Sequence, residues 1–142
     1  MSAVGIGETV VDRFLRYVRY DTQSAEDSKT YPSTEKQKEL GRLLVEELKK
    51  LGLKDASIDQ YGYVTATLEA NTKRIVPVIA LIAHMDTSPE ISGKDVKPHI
   101  HKNYSGGDMV LPGDTTQIIR ISETPELAKK IGNDIITSDG TT

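Results

Sequence analysis

The feature that most limits the fold of this chain is an apolar run, residues 76–83, that ends in His84 and Asp86. Such a run predicts a central strand covered on both faces, and strands of this kind often carry functional groups at the carboxyl end. In an extended chain the side chains of His84 and Asp86 point to the same side. A carboxylate beside an imidazole is the arrangement that orients a metal-binding histidine. The pattern therefore favours a functional pair, and it leaves open a pair that is only structural or exposed.

Composition excludes several classes of function. The chain has 142 residues, which suits one domain or part of one, and its net charge of -3 with mixed signs gives no nucleic-acid footprint. No apolar run approaches the length of about 20 residues that a membrane-spanning helix needs. Residues 1–8 do not have the basic and apolar regions of a secretory signal. Cysteine is absent, which excludes disulfides and thiolate metal sites. We expect a cytoplasmic protein that binds neither nucleic acid nor membrane.

The first half of the chain shows two helical patterns and one hairpin pattern. Apolar residues at helical spacing predict a helix over residues 8–20. A leucine stripe predicts a second helix that starts at a capping box of Thr34 and Gln37 and ends before Gly52. Residues 56–59 and 63–68 are expected to be strands around a turn at Tyr61 and Gly62.

The second half is predicted to contain short elements. We expect an irregular strand over residues 96–104, a strand over 116–121, a short helix that ends at Lys130, and a last strand over 134–137. Together these elements indicate an α/β fold with a mixed sheet packed with helices. Residues 138–142 are typical of a hairpin turn whose return strand is not in the sequence. The last hairpin is thus expected to be incomplete, and its exposed edge could support self-association.

Other candidate sites carry weaker signals. His99 and His101 form an H-x-H pattern that can bind metal from one face of a strand, but their polar neighbours favour an ordinary exposed segment. The glycines at 106 and 107 do not lie in the strand-loop-helix context of phosphate binding, so we interpret them as a turn. Three carboxylates are interpreted as the solvated face or end of a helix: Glu46, Glu47 and Asp55.

Several longer motifs are more specific. They are RFLRYV with DTQS (residues 13–18 and 21–24), PSTE (32–35), AHMDTSP (83–89), SGK (92–94), NYSGGD (103–108) and ITSDG (136–140). Across nearly the whole chain these motifs resemble the N-terminal part of the peptidase T family. This family consists of tripeptide aminopeptidases among the dinuclear-zinc exopeptidases.

The resemblance implies roles for both members of the pair. His84 would be a zinc ligand, and Asp86 would orient His84 and support catalysis without binding the metal. The complete enzyme would hold two zinc ions and cleave the N-terminal peptide bond of a tripeptide substrate. The bridging aspartate, the catalytic glutamate and the other ligands of the family lie beyond the matched segment. We therefore expect residues 1–142 to be the N-terminal segment of the catalytic domain, without the lid or dimerisation domain.

This expectation has functional consequences and alternatives. A catalytic zinc ion needs about three protein ligands, and the chain offers one matched ligand, so we expect weak zinc binding and no activity from the segment alone. A first alternative is another exopeptidase or deacylase of the same zinc group. A second is a non-catalytic α/β interaction module. Sequence beyond Thr142 would distinguish a peptidase T-like enzyme from another member of the zinc group. A closed crevice at His84 would favour the interaction module.

Overall fold

The computed structural model describes residues 7–142 and shows a small α/β domain with short antiparallel sheets and few helices. The helices are α1 (Val10–Tyr17), α2 (Gln37–Lys50) and a short 3-10 helix (Pro125–Lys130). The strands are β1 (Ser57–Ile58), β2 (Val64–Thr65), β3 (Pro98–His101), β4 (Met109–Val110), β5 (Ile118–Ile119) and β6 (Ile135–Ser138). Within residues 7–142 no helix is both long enough and apolar enough to cross a bilayer.

The ends of the helices follow from local chemistry. Helix α1 begins at a capping box, in which Thr9 and Asp12 satisfy each other's backbone N–H groups. Helix α2 ends before Gly52, as predicted, and the φ of 96° at Gly52 is the left-handed conformation that glycine adopts without strain. There the amide of Gly52 donates to the carbonyl of Lys49, and the amide of Leu53 donates to that of Leu48. These two bonds form a Schellman motif.

The predicted capping box at the start of α2 is wrong. The residue before α2 is Lys36, which makes no side-chain cap. The hydroxyl of Thr34 instead donates to the backbone carbonyl of Gln23 at 2.8 Å. The side-chain amide nitrogen of Gln37 donates to the hydroxyl of Ser33. The Thr34 hydroxyl thus binds the loop before the helix, and Gln37 binds nearby Ser33, in place of the predicted capping box.

The predicted mixed sheet is also wrong for the described part of the chain. The strands form three antiparallel pairs, β1 with β2, β3 with β6 and β4 with β5. Residues 76–83 form no strand, and Val78, Leu81 and Ile82 are each more than nine-tenths exposed. A central strand needs a hydrogen-bonded neighbour on each side. The six strands form three separate pairs, and none of them is hydrogen-bonded to the apolar run.

Two small apolar groups stabilise the domain. Tyr104, Met109 and Leu127 are buried together, with partly buried isoleucines from β5, β6 and the segment between them around the group. The other buried apolar residues include Leu40 and Val45 on α2 and Ala56 before β1, and α2 packs against the β1–β2 hairpin. A β-carbon at Gly41 would lie 2.5 Å from the end of the Ile58 side chain, which shows how closely helix and hairpin approach.

The C-terminal strand β6 lies one residue from its predicted position. It pairs with β3, so that His101 faces Ile135 and Pro98 faces Ser138. After β6, the Asp139 carboxylate accepts from both the amide and the hydroxyl of Thr141, which forms a turn. Among the described residues, β6 has no hairpin partner beyond this turn.

Candidate functional site

The structure brings His84 and Asp86 into contact, as their spacing predicts. The Nδ1 atom of His84 lies 3.1 Å from Oδ1 of Asp86. Because an ionised carboxylate only accepts hydrogen bonds, this contact favours the tautomer with the proton on Nδ1 and leaves Nε2 as the ring nitrogen that can bind a metal ion. The side chains of His84 and Asp86 are 84% and 47% exposed, so the pair is open to solvent.

The residue after the pair is bonded to a distant loop. The amide of Thr87 donates to the carbonyl of Thr22 at 3.1 Å, and the amide of Ser24 donates to the carbonyl of Thr87 at 3.0 Å. The Ser24 hydroxyl also donates to that carbonyl, and the amide nitrogen of the Gln23 side chain donates to the carbonyl of Pro89 at 2.8 Å. We call these five residues the site anchor.

Charges beside the site anchor keep its loop in place. The ammonium group of Lys36 lies 2.9 Å from the Asp21 carboxylate and 3.4 Å from the side-chain oxygen of Gln23. The hydrogen bond from Lys36 lowers the pKa of Asp21, and the backbone amide of Gln23 acts in the same direction. A β-carbon at Gly93 would lie 3.1 Å from Oδ1 of Asp21, so a larger residue there would require the Asp21 side chain to shift slightly.

Sequence comparison identifies known proteins that are similar to this chain. The chain is 55% identical over 133 residues to "Peptidase T" of Caldanaerobacter subterraneus subsp. tengcongensis, and the match covers 94% of the chain. It is 53% identical to "Peptidase T" of Halothermothrix orenii over 94% of its length, and 51% identical to "Peptidase T" of Clostridium acetobutylicum over 95%. The chain is a relative of the peptidase T proteins. The resemblance found in the motifs is therefore confirmed.

The match covers a much larger share of this chain than of its relatives. The chain spans about a third of the length of these peptidase T relatives, 32% of the first and 33% of the second. A scan against models of protein families gave no match. The peptidase T relationship thus covers nearly all of this chain and a minor part of each relative.

The other histidines lie together on β3, apart from the peptidase T motif around His84. The ring centroids of His99 and His101 are 4.6 Å apart with an edge-to-face geometry, and Nε2 of His101 lies 3.0 Å from the Thr137 hydroxyl. Burial lowers the pKa of His101, and the nearby His99 lowers that pKa further. The His101 ring is therefore partly buried, and it contacts the hydroxyl of Thr137.

The described residues do not contain a complete metal site. Within residues 7–142, no group of three or more His, Cys, Asp or Glu side chains is placed to hold a metal ion. The interpretation of Glu47 as a solvated residue is wrong, because its side chain is 13% exposed and binds Arg16. The residues of the site anchor were not assigned to the site from the sequence. The sequence signal for Thr22, Gln23 and Ser24 is the motif DTQS (residues 21–24), which indicates the family but not this contact.

Proposed function

We propose that this chain is the N-terminal segment, residues 1–142, of the catalytic domain of a tripeptide aminopeptidase. The complete enzyme would hydrolyse the N-terminal peptide bond of tripeptides in the cytoplasm. The proposal is supported by the peptidase T relatives, which are about three times longer than the matched segment. The lid or dimerisation domain of the enzyme would lie outside this segment.

The observation that carries the proposal is the 3.1 Å contact between the His84 ring and the Asp86 carboxylate. In this role His84 would bind one zinc ion through Nε2. Asp86 would hold the ring in the tautomer and direction that binding requires, and it would make the imidazole a stronger donor. The exposure of both side chains leaves room for an ion and for further ligands from the rest of the enzyme.

The residues present fit zinc in part. A neutral imidazole with a carboxylate partner suits zinc, but one histidine is fewer than the about three protein ligands of a catalytic site. When bound in the complete enzyme, the two zinc ions would polarise the scissile carbonyl and lower the pKa of the attacking water. The contribution of this chain would be to present and orient one ligand. We therefore propose that the segment alone binds zinc weakly and is inactive.

The openness of the site bears on the alternatives. A non-catalytic interaction module would be favoured by a closed crevice at His84, and the His84 side chain is instead 84% exposed. Another exopeptidase or deacylase of the same zinc group would use the same pair with a different substrate. Assays with tripeptides, dipeptides and acylated amino acids would separate these two enzyme classes.

Replacing His84 in the full-length enzyme tests the proposal. His84→Ala should reduce bound zinc and abolish most tripeptide hydrolysis, since it removes a metal ligand. His99→Ala is the matched control, because His99 is also exposed but lies on β3. Zinc content and initial rates should be measured on the same samples at low external zinc. Near-normal zinc content in His84→Ala would show that His84 is not a ligand.

A further inference from the structure

The segment that carries the His84–Asp86 pair has few contacts of its own. Among the described residues, the backbone of residues 75–86 accepts and donates no hydrogen bond. The side chain of Met85 approaches helix α2, where its methyl carbon lies 3.6 Å from the place of a β-carbon on Gly41. The next firm attachment along the chain is Thr87, directly after Asp86. The direction of the Asp86 carboxylate is therefore determined largely by how Thr87 is held.

Thr87 is held by a short parallel contact with the loop that follows α1. Both its amide and its carbonyl are bonded to that loop, and the structure records an isolated parallel bridge between Gln23 and Thr87. Thr22 is 2% exposed, so the Thr22 carbonyl that accepts the Thr87 amide is buried, although Thr87 itself is exposed. Breaking this bond is costly, because it would leave the buried carbonyl of Thr22 without a partner.

Gln23 is the residue whose side chain fastens this contact from both sides. Its side-chain nitrogen donates to the carbonyl of Pro89 at 2.8 Å, two residues after Thr87. Its side-chain oxygen faces the ammonium of Lys36, and its backbone carbonyl accepts the hydroxyl of Thr34 at 2.8 Å. The Gln23 amide group thus joins the segment after Asp86 to the residues that precede helix α2.

We propose that Gln23 is a positioning residue, which holds the Thr87–Pro89 segment and so sets the direction of Asp86 towards His84. This inference rests on the proposed function, because it gives Gln23 a role in the same reaction. Gln23 does not contact the His84–Asp86 pair itself. It acts through the backbone of the site anchor, and its substitution should therefore affect turnover more than substrate binding.

Gln23→Glu is the sharpest variant, because it keeps the size of the side chain and an oxygen for Lys36 but removes the N–H that donates to Pro89. Loss of one neutral hydrogen bond corresponds to a change of about 2-fold to 10-fold in an equilibrium. In the full-length enzyme we expect hydrogen exchange at the Thr87 amide to accelerate, and kcat to fall, by a factor in this range with KM nearly unchanged. Gln60→Glu is the matched control, because it makes the same charge change at an exposed position.

The same substitution in an Asp86→Asn enzyme distinguishes a positioning role of Gln23 from a general loss of structure. In an Asp86→Asn enzyme saturated with zinc, Gln23→Glu should lower kcat by less than about 2-fold, because residues that act as a unit are not additive. An equal fall in kcat in both backgrounds, or an effect no larger than that of Gln60→Glu, would overturn the positioning role. Unchanged turnover in Asp86→Asn alone would instead remove the role proposed for Asp86, and the positioning role would fall with it. Absence of tripeptide turnover in the wild-type full-length protein would refute the proposed function itself.

Discussion

The guanidinium of Arg16 lies 2.5 Å from the carboxylate of Glu47, an ion pair that joins α1 to α2. The same carboxylate accepts the hydroxyl of Tyr17, and Arg16 also binds Glu8. Through this network α1 is held by polar contacts, while its apolar residues Val10 and Phe14 remain substantially exposed. The orientation of the loop after α1, which contains Thr22, Gln23 and Ser24 of the site anchor, therefore depends partly on Glu47.

We expect Glu47→Gln to lower the midpoint of thermal unfolding by about 2–5 °C, because it weakens the contacts to Arg16 and Tyr17. Glu46→Gln is the matched control, since Glu46 is the exposed neighbour on the same helix. Circular dichroism during heating measures both variants. Equal midpoints for the two variants would mean that the ion pair does not contribute to stability.

Local signals predicted the parts of the fold that depend on local interactions. The leucine stripe and Gly52 gave α2 and its C-terminal motif, and Tyr61 with Gly62 gave the hairpin turn. The structure of the apolar run at residues 76–83 could not be predicted from local signals. Its hydrophobicity predicts burial, but burial in a sheet requires neighbouring strands, and the strands among the described residues pair elsewhere.

The candidate site was also predictable only where it depends on local spacing. The contact between His84 and Asp86 follows from a spacing of two in an extended chain. The site anchor does not follow from any local pattern, because the hydroxyl of Ser24 and the carbonyl of Thr87 that it binds are 63 positions apart. The motif DTQS indicated the family without indicating this contact. Only the folded chain relates the motif to the segment after Asp86.

The stability of the chain should fall as the pH decreases below about 6.5, the ordinary pKa of histidine. The folded state lowers the pKa of His101, so the unfolded state binds the proton more readily and is favoured at low pH. The contribution of His101 to stability is complete above the unfolded pKa and is lost as the pH falls through the folded pKa. Urea unfolding of the wild type between pH 7.5 and 5 measures this slope.

Two variants identify the source of that slope. His101→Gln should flatten the dependence between pH 7 and 5.5, because it removes the titrating ring. His99→Gln should retain most of it, since burial is the larger cause of the lowered pKa and His99 the smaller. A slope that survives unchanged in His101→Gln would assign the effect to another group.

We also predict that the 142-residue chain self-associates at high concentration. Within residues 7–142, strand β6 pairs with β3 alone, and an unpaired strand edge favours pairing with another chain. The exposed run at residues 76–83 adds an apolar surface. Sedimentation velocity over a range of concentrations tests this, and Ile82→Lys should reduce association if the apolar run contributes. A strictly monomeric species throughout would contradict the prediction.

The last prediction concerns Asp86 in the full-length enzyme at saturating zinc. Asp86→Asn nearly preserves shape but removes the negative charge beside the His84 ring. Because changes in the partner of a metal-binding histidine cost on the order of 10-fold to 100-fold, turnover should fall by at least that range while both zinc ions remain bound. Steady-state rates and zinc content must be measured on the same samples.

The competing explanation is that Asp86 only caps the loop that begins at Thr87. Asparagine is also a good cap, so a capping role predicts normal folding and nearly normal turnover in Asp86→Asn. The structure favours the first role, because the carboxylate contacts the His84 ring at 3.1 Å. Thr87 itself is held by the backbone of Thr22 and Ser24, so its position does not require a cap from Asp86. Wild-type turnover in a fully metallated Asp86→Asn enzyme would therefore remove the catalytic role proposed for Asp86 and leave His84 to be tested alone.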